Sequence, residues 1–251
     1  MKPFRRGVFS GATVSVVGLA LSCGGLCLGL AGCAFDGLFG DAKKPSVSIL
    51  PLAVGNSWSY VDSAYYRDAD GATDSIVVDS AFQGITGTRT VTLAAGPSTV
   101  YLSNALDRVT RRPVGLTTWL QDRADGNHTV GIEQGDASFT RETLHVKHPA
   151  AAGERYPTHF LEFRIEDDAL VPLVDTVEIE VVDVHRTCAV PAGTFACVQY
   201  RGWRPGGVLH ATGYYAPGVG FLGSEIVRTE NHGGTEREVV RVRRLTAYTL
   251  F

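Results

Sequence analysis

Asp183 and His185 are the residues whose types and spacing are most compatible with acid–base chemistry. They follow the alternating stretch 177–181 and lie two residues apart, so in a continuing strand both side chains project from its inward face. A carboxylate beside an imidazole raises the imidazole pKa and can make it a general base. If the strand leaves the core at that point, both groups are simply solvated. We therefore treat Asp183 and His185 as a candidate polar pair and assign no catalytic residue.

Cys188 and Cys197 flank the turn sequence Pro191-Ala192-Gly193. Proline fixes φ at one turn position and glycine supplies the positive φ that follows, so the turn brings the two cysteines opposite each other. We expect a disulfide, which would stabilise the fold by about 2.5–3 kcal/mol according to the loop-entropy estimate. Two alternatives stay open. His185 with both cysteines would give three ligands that zinc accepts, or the two thiols remain unpaired.

The sequence lacks the usual motifs of hydrolases. It contains no Gly-x-Ser-x-Gly, Ser-x-x-Lys or His-Glu-x-x-His, and a hydrolase needs some such arrangement to activate its nucleophile. His145 and His148 are three residues apart, which on a regular strand places them on opposite faces. We expect a protein that is not an enzyme and that holds no metal and no cofactor.

The N-terminal segment carries a targeting signal. Three basic residues within 1–6 precede the uncharged run 8–32, which ends in Leu30-Ala31-Gly32-Cys33. This pattern resembles the lipobox of secreted bacterial lipoproteins, in which the cysteine becomes the acylated first residue of the mature protein. The resemblance implies that residues 1–32 are a signal peptide and that lipid on Cys33 anchors the protein in the cell envelope.

An uncleaved membrane-spanning helix is the alternative interpretation of this apolar run. By resemblance to enterobacterial sorting, Ala34 after the cysteine favours the outer membrane, with the protein facing the periplasm. Two acyl chains on one residue give stable anchoring. The compartment is oxidising, which favours disulfide formation.

Charge excludes one class of partner. Loss of residues 1–32 removes three basic and no acidic residues, so the net charge of −3 becomes −6 in the mature chain. Nucleic-acid binding needs a basic surface to neutralise phosphates. We therefore expect no nucleic-acid partner, attachment to the membrane through the lipid, and other envelope proteins as partners.

The elements that must position these residues are strands. The segment 159–166 has Leu161, Phe163 and Ile165 on one face, and 175–181 has Val177, Ile179 and Val181 on its inward face; this alternation is typical of strands with one buried face. Weaker alternation occurs at 57–62, 74–82, 88–93, 99–103, 129–132, 142–146, 197–202, 207–215, 220–228 and 237–245.

Turn residues separate these segments, and only 104–112 suggests a short helical turn; no internal repeat is evident. Many short strands without helical periodicity predict an all-β fold. We predict a single antiparallel domain over 49–251, built as a curved sheet, an open barrel or a sandwich. It follows the signal peptide 1–32 and a flexible tether at 33–48.

Three segments carry a further resemblance: Leu50-Pro51-Leu52-Ala53-Val54-Gly55-Asn56-Ser57-Trp58-Ser59-Tyr60, Val190-Pro191-Ala192-Gly193-Thr194-Phe195-Ala196-Cys197 and Tyr214-Tyr215-Ala216-Pro217-Gly218-Val219-Gly220-Phe221. In that order they resemble a loose group of β-rich bacterial envelope lipoproteins of unknown function. The resemblance implies structural roles for the tryptophan and for the Gly-Val-Gly turn, and it implies no catalytic residues.

The sequence therefore predicts a lipid-anchored envelope protein that acts as a non-catalytic binding or assembly module. The alternative is a periplasmic carrier that holds a lipid or another apolar ligand in a curved β-sheet, and a remote alternative is an envelope hydrolase. The carrier predicts inward faces that the sheet cannot fill by itself. The assembly module predicts a closed core and an exposed apolar patch.

Overall fold

A computed structural model of the chain describes residues 47–67, 73–166, 169–204, 210–232 and 235–251. The predicted signal peptide 1–32 and Cys33 lie outside the described residues. The described residues contain no helix, so the prediction of an all-β fold is confirmed. They form twelve strands: β1 (Ser57–Arg67), β2 (Thr73–Leu93), β3 (Gly96–Leu106), β4 (Pro113–Arg123), β5 (Gly126–Gln134), β6 (Ala137–Lys147), β7 (Arg155–Glu166), β8 (Ala169–Val190), β9 (Gly193–Trp203), β10 (His210–Ala216), β11 (Gly220–His232) and β12 (Thr235–Thr249).

The twelve strands form one antiparallel sheet. Its order is β6-β5-β4-β3-β2-β1-β12-β11-β10-β9-β8-β7, so β1 and β12 pair at its centre while β6 and β7 are its edges. The two edges approach each other: Thr143 Oγ1 lies 3.4 Å from Thr158 Oγ1, and the His159 backbone N–H donates to Thr143 Oγ1 at 3.1 Å. The sheet is therefore curved into a nearly closed, barrel-shaped structure.

The longest strands are β2 and β8, each the second strand in a series of six. The turn after β2 lies near β6, where the Ala94 backbone contributes to lowering the pKa of the Glu142 carboxyl. The turn after β8 reaches β12, where the Ala192 N–H donates to the Leu245 carbonyl at 3.1 Å. The same six-strand arrangement thus occurs twice, in β1–β6 and in β7–β12, although the sequence shows no evident repeat.

The hairpin of β2 and β3 contributes to a second core beside the sheet interior. Val100, Trp119 and Val130 belong to this core and are 0–5% exposed. Every residue from 126 to 132 in β5 is buried. The strand is therefore covered on both faces, and its sequence needs no strict alternation of polar and apolar residues.

Residues 47–56, which we call the floor, pack at one end of the sheet. Ile49 is 1% exposed and belongs to the same apolar cluster as Val146. The carbonyl of Ser48, predicted as the last residue of the tether, accepts a hydrogen bond from the Gly218 N–H at 2.8 Å. The polypeptide therefore joins the folded domain at the floor.

The helical turn predicted at 104–112 is present as one turn at 107–111, where the Arg111 backbone N–H donates to the Asp107 carbonyl at 3.0 Å. The strand β3 continues to Leu106, and the carboxylate of Asp107 then accepts hydrogen bonds from the backbone N–H groups of Val109 and Thr110 at 3.0 and 2.7 Å. Aspartate favours the start of such a turn because its side chain accepts hydrogen bonds from the backbone N–H groups two and three residues later, as at a helix N-cap.

The buried face of β7 also differs from the prediction. Tyr156 and Thr158 are buried, at 7% and 2% exposure, whereas Ile165 is 74% exposed. Leu161, Phe163 and Ile165 are an odd number of positions from Tyr156, so they lie on the opposite face. Apolar residues occur on both faces of this strand, and for that reason alternation alone did not identify its inward face.

Candidate binding chamber

The predicted polar pair does not form an acid–base site. The pairing of β8 with β9 shifts register on both sides of Asp183. His185 lies within the second shift, between Asp183 and Arg186, and is exposed, whereas Cys188 beyond it is buried. The contact between the pair is a hydrogen bond from the His185 backbone N–H to Asp183 Oδ1 at 2.8 Å. A register shift of one residue exchanges the two faces of a strand, which explains why the predicted inward face ends before His185.

Cys188 and Cys197 form the predicted disulfide, with their Cα atoms 6.0 Å apart. It packs in a cluster with Leu222 and Leu245, both fully buried. The alternatives with zinc and with unpaired thiols are excluded for these cysteines, because both sulfurs are bonded to each other. Across the described ranges, no group of three or more His, Cys, Asp and Glu side chains could hold a metal ion.

Two adjoining cavities lie inside the curved sheet; we call them together the chamber. The first has a volume of about 220 Å³ and the second about 250 Å³. His145, Tyr215 and Phe221 line both. Most other lining groups are apolar or aromatic, including Phe160, Ile179 and Ile226 in the first cavity and Leu50, Trp58 and Leu120 in the second.

A β-bulge places His145 at the centre of the chamber. His128 of β5 pairs with Leu144, and Asn127 pairs with Val146, so His145 is the extra residue of β6. A bulge adds one unpaired residue and redirects its side chain. As a result, His145 and its neighbour Val146 both line the first cavity.

The chamber holds His145 in its neutral form. Burial lowers the pKa of His145 to about 4, because the charged imidazolium loses its hydration. Burial also raises the pKa of Tyr215. Within the part of the chain that the structure describes, neither the His145 imidazole nor the Tyr215 hydroxyl has a hydrogen-bond partner.

Aromatic rings form the wall around these two groups. The rings of Tyr200 and Tyr215 meet edge to face at 5.6 Å, and Phe221 lies 5.1 Å from Tyr215 and 5.7 Å from Tyr60. The hydroxyl of Tyr60 donates to the Phe221 carbonyl at 3.3 Å, and that of Tyr200 donates to the Lys147 carbonyl at 2.7 Å. Both hydroxyls are thus bonded to backbone, and the rings present apolar surface to the chamber.

A larger and more polar cavity of about 600 Å³ adjoins the chamber; we call it the vestibule. It shares Phe221, Ser224 and Ile226 with the first cavity. Asp62 and Arg243 lie in its wall and form an ion pair. The interior therefore changes from apolar in the chamber to charged in the vestibule.

An exposed apolar stretch lies on β2. Ile76 and Val78 share one face of the strand and are 58% and 63% exposed. The intervening Val77 is on the other face, in the wall of the vestibule, and is 55% exposed. Exposed apolar residues that cluster in this way are typical of interaction sites.

The chamber could not be identified from the sequence. The spacing of His145 and His148 was expected to place them on opposite faces of a strand, and Tyr215 and Phe221 stood out only as part of a segment that carries the resemblance to envelope lipoproteins. The bulge in β6 depends on pairing with β5, and no local motif in the sequence indicates it.

No helix in the described ranges is long and apolar enough to cross a membrane.

No protein-family model and no curated protein matches this chain. Among solved structures, it is similar to a Bacteroides fragilis protein described as a "putative exported protein with YmcC-like fold". The similarity covers 81% of this chain and 100% of the other, with 16% sequence identity and a TM-score of 0.32. At these values, the similarity assigns neither a family nor a function to this chain.

Proposed function

We propose that this protein is a lipid-anchored, non-catalytic binding protein of the bacterial envelope that holds an apolar small molecule inside its sheet. The observation that carries the proposal is the chamber: two adjoining, mainly apolar cavities of about 220 and 250 Å³. A carrier requires inward faces that leave space, and a pure assembly module requires a filled core. The chamber therefore favours the carrier over the assembly module.

The size of the chamber supports this function. Small-molecule sites typically enclose roughly 300–1,000 Å³, and a ligand that occupied both cavities would fall in that range. A ligand that fills the first cavity removes apolar surface from water and gains packing contacts, which gives binding a physical driving force.

The position of the floor supports membrane anchoring. The tether predicted from the sequence would span on the order of 20 Å, and the polypeptide joins the domain at Ser48 and Ile49. Lipid on Cys33 would therefore hold the floor near the membrane. Metabolic labelling with a radioactive fatty acid tests this part: we expect label on the wild type and none on Cys33→Ala.

Native mass spectrometry tests the binding function. Residues 1–32 are replaced by a signal peptide of a soluble periplasmic protein and Cys33 by serine, so that the mature chain is purified without lipid or detergent. We expect a native mass above the denatured mass by that of one apolar molecule, or else saturable binding of the fluorescent probe N-phenylnaphthylamine. A bare native mass together with no probe binding contradicts the proposal.

A role in docking another envelope protein is the second candidate, and the exposure of Ile76 and Val78 favours it. Crosslinking in cells compares wild type with the double variant Ile76→Ser, Val78→Ser. Loss of a specific crosslinked species in the variant supports docking through β2, and identical crosslinks in both proteins argue against it.

A further inference from the structure

We propose that the chamber selects molecules with an apolar body and one uncharged polar group, which hydrogen-bonds to His145 and Tyr215. This inference rests on the proposed function and names the chemical class of its ligand. An alcohol, an amide or an ester meets the description. A carboxylate or an ammonium group does not.

The two polar groups lie where the two cavities adjoin. His145 is the extra residue of a bulge, and both His145 and Tyr215 line the two cavities. A ligand that bridges the cavities must therefore pass both. Together the phenol and the neutral imidazole offer donors and an acceptor, so a hydroxyl or a carbonyl group can be satisfied there.

Tyr215 differs from the other tyrosines of the chamber. The hydroxyls of Tyr60, Tyr156 and Tyr200 reach the backbone carbonyls of Phe221, His145 and Lys147, respectively. Among these chamber tyrosines in the described ranges, Tyr215 alone has a hydroxyl without such a partner. Tyr215 and His145 are half-buried and line both cavities, so the free hydroxyl and the free imidazole are open to hydrogen bonds with a polar group of a ligand.

The lining of the chamber offers no charged partner to a ligand. The residues that line the two cavities include no Asp, Glu, Lys or Arg. In the neighbouring vestibule, Asp62 and Arg243 are paired with each other. A charged ligand group in the chamber would lose its hydration without gaining an ion pair, which is strongly unfavourable. His145 does not supply a charge, because burial lowers its pKa to about 4.

The experiment measures displacement of N-phenylnaphthylamine from the mature chain at neutral pH by n-octane, octanol, octanoate and octylammonium. We expect octanol to bind at least tenfold more tightly than either ion. Tyr215→Phe should weaken octanol binding by roughly three- to tenfold, the usual effect of one lost hydrogen bond, and leave octane binding unchanged. His145→Leu should also lower the preference for octanol over octane.

Tyr60→Phe is the matched control, since it removes a chamber hydroxyl that is bonded to the backbone; it should leave the ratio of octanol to octane affinities at the wild-type value. Equal affinity for octanoate and octanol overturns the inference. An unchanged ratio in both Tyr215→Phe and His145→Leu also overturns it, while the proposed function stands. Failure of the wild type to bind the probe and all four compounds overturns the proposed function and the inference with it.

Discussion

The guanidinium of Arg243 donates two hydrogen bonds to the carboxylate of Asp62, at 2.7 and 2.6 Å, across the central pair of strands β1 and β12. The same guanidinium lies 5.4 Å from the ring centroid of Tyr60, a residue of the second cavity. The hydrogen bond to Asp62 raises the pKa of Arg243. The pair therefore neutralises two charges where the vestibule adjoins the apolar chamber.

Breaking this ion pair should destabilise the protein moderately. The side chains of Arg243 and Asp62 are 37% and 35% exposed, so water partly replaces a lost partner. We expect Arg243→Met and Asp62→Asn each to lower the free energy of unfolding by about 1–2 kcal/mol. In urea denaturation, the unfolding free energy lost by the double variant should be smaller than the sum of the losses in the two single variants. A loss equal to that sum would show that the two groups are not coupled.

His145 should make stability fall as the pH is lowered from about 6.5 to about 4. The pKa of His145 is about 4 in the fold against an ordinary value of 6.5. Between these values the unfolded chain binds a proton that the folded chain does not, so acid favours unfolding. The full effect is about 3 kcal/mol, and it is absent above pH 6.5.

Urea titrations of wild type and His145→Gln between about pH 4 and 7 check this pH dependence. As the pH falls over that range, the unfolding free energy of the wild type should decrease relative to that of His145→Gln. Burial also lowers the pKa of His148, but His148 is present in both proteins and its contribution cancels. Parallel curves of unfolding free energy against pH for the two proteins would contradict this role of His145.

Loss of the disulfide should destabilise the domain without changing the chamber. Cys188 and Cys197 pack against Leu222 and Leu245, and neither cysteine lines the two cavities. We expect the double variant Cys188→Ala, Cys197→Ala to lose about 2.5–3 kcal/mol of stability and to keep its affinity for N-phenylnaphthylamine. Stability equal to that of the oxidised wild type would contradict a structural role for the disulfide.

Gly131 should tolerate no side chain. A Cβ at this position would lie 2.5 Å from Trp119 Cε3 and 2.8 Å from the Phe139 carbonyl oxygen, so backbone or a packed ring must move. We expect Gly131→Ala to cost about 1–3 kcal/mol. Gly87→Ala is the control, because its Cβ would meet Leu102 Cδ1 at an ordinary 3.7 Å. Thermal unfolding of the two variants checks the difference, and equal midpoints would contradict this packing.

The all-β class and the disulfide could be predicted because both depend on local patterns. Val177 and Val181 are buried, at 2% and 0% exposure, as the alternation in β8 indicates. The turn between β8 and β9 lies where proline and glycine predict it, and it brings Cys188 and Cys197 together.

The strand β4 could not be predicted in this way. Trp119 and Leu120 are adjacent and face opposite sides of the strand, yet they are 5% and 4% exposed. The hairpin of β2 and β3 contributes to the cover over Trp119, while Leu120 lines the second cavity. A strand buried on both faces has no period-two signal.

The chamber residues were missed for a different reason. The bulge that directs His145 inward and the register shifts around Asp183 are properties of strand pairing. Such bulges reverse or interrupt the two-residue period. A sequence interpreted with a regular period therefore places Asp183 and His185 inside and does not distinguish His145.

The central claim is that the chamber binds an apolar molecule. It is tested most directly by a variant in which one added side chain occupies part of the chamber. Gly213 lines the first cavity, and a Cβ there would meet only Tyr215 Cε2 at 3.5 Å and Phe221 Cε2 at 4.0 Å. Gly213→Val should therefore fold and occupy space that a ligand needs. Gly87→Val is the matched control, because Gly87 lines neither cavity.

The affinity of each mature chain for N-phenylnaphthylamine is measured by titration. Thermal unfolding verifies that each variant is folded. We predict that Gly213→Val weakens binding by roughly tenfold or more while Gly87→Val binds as the wild type does. Wild-type affinity in a folded Gly213→Val protein would contradict the assignment of the chamber as the binding site.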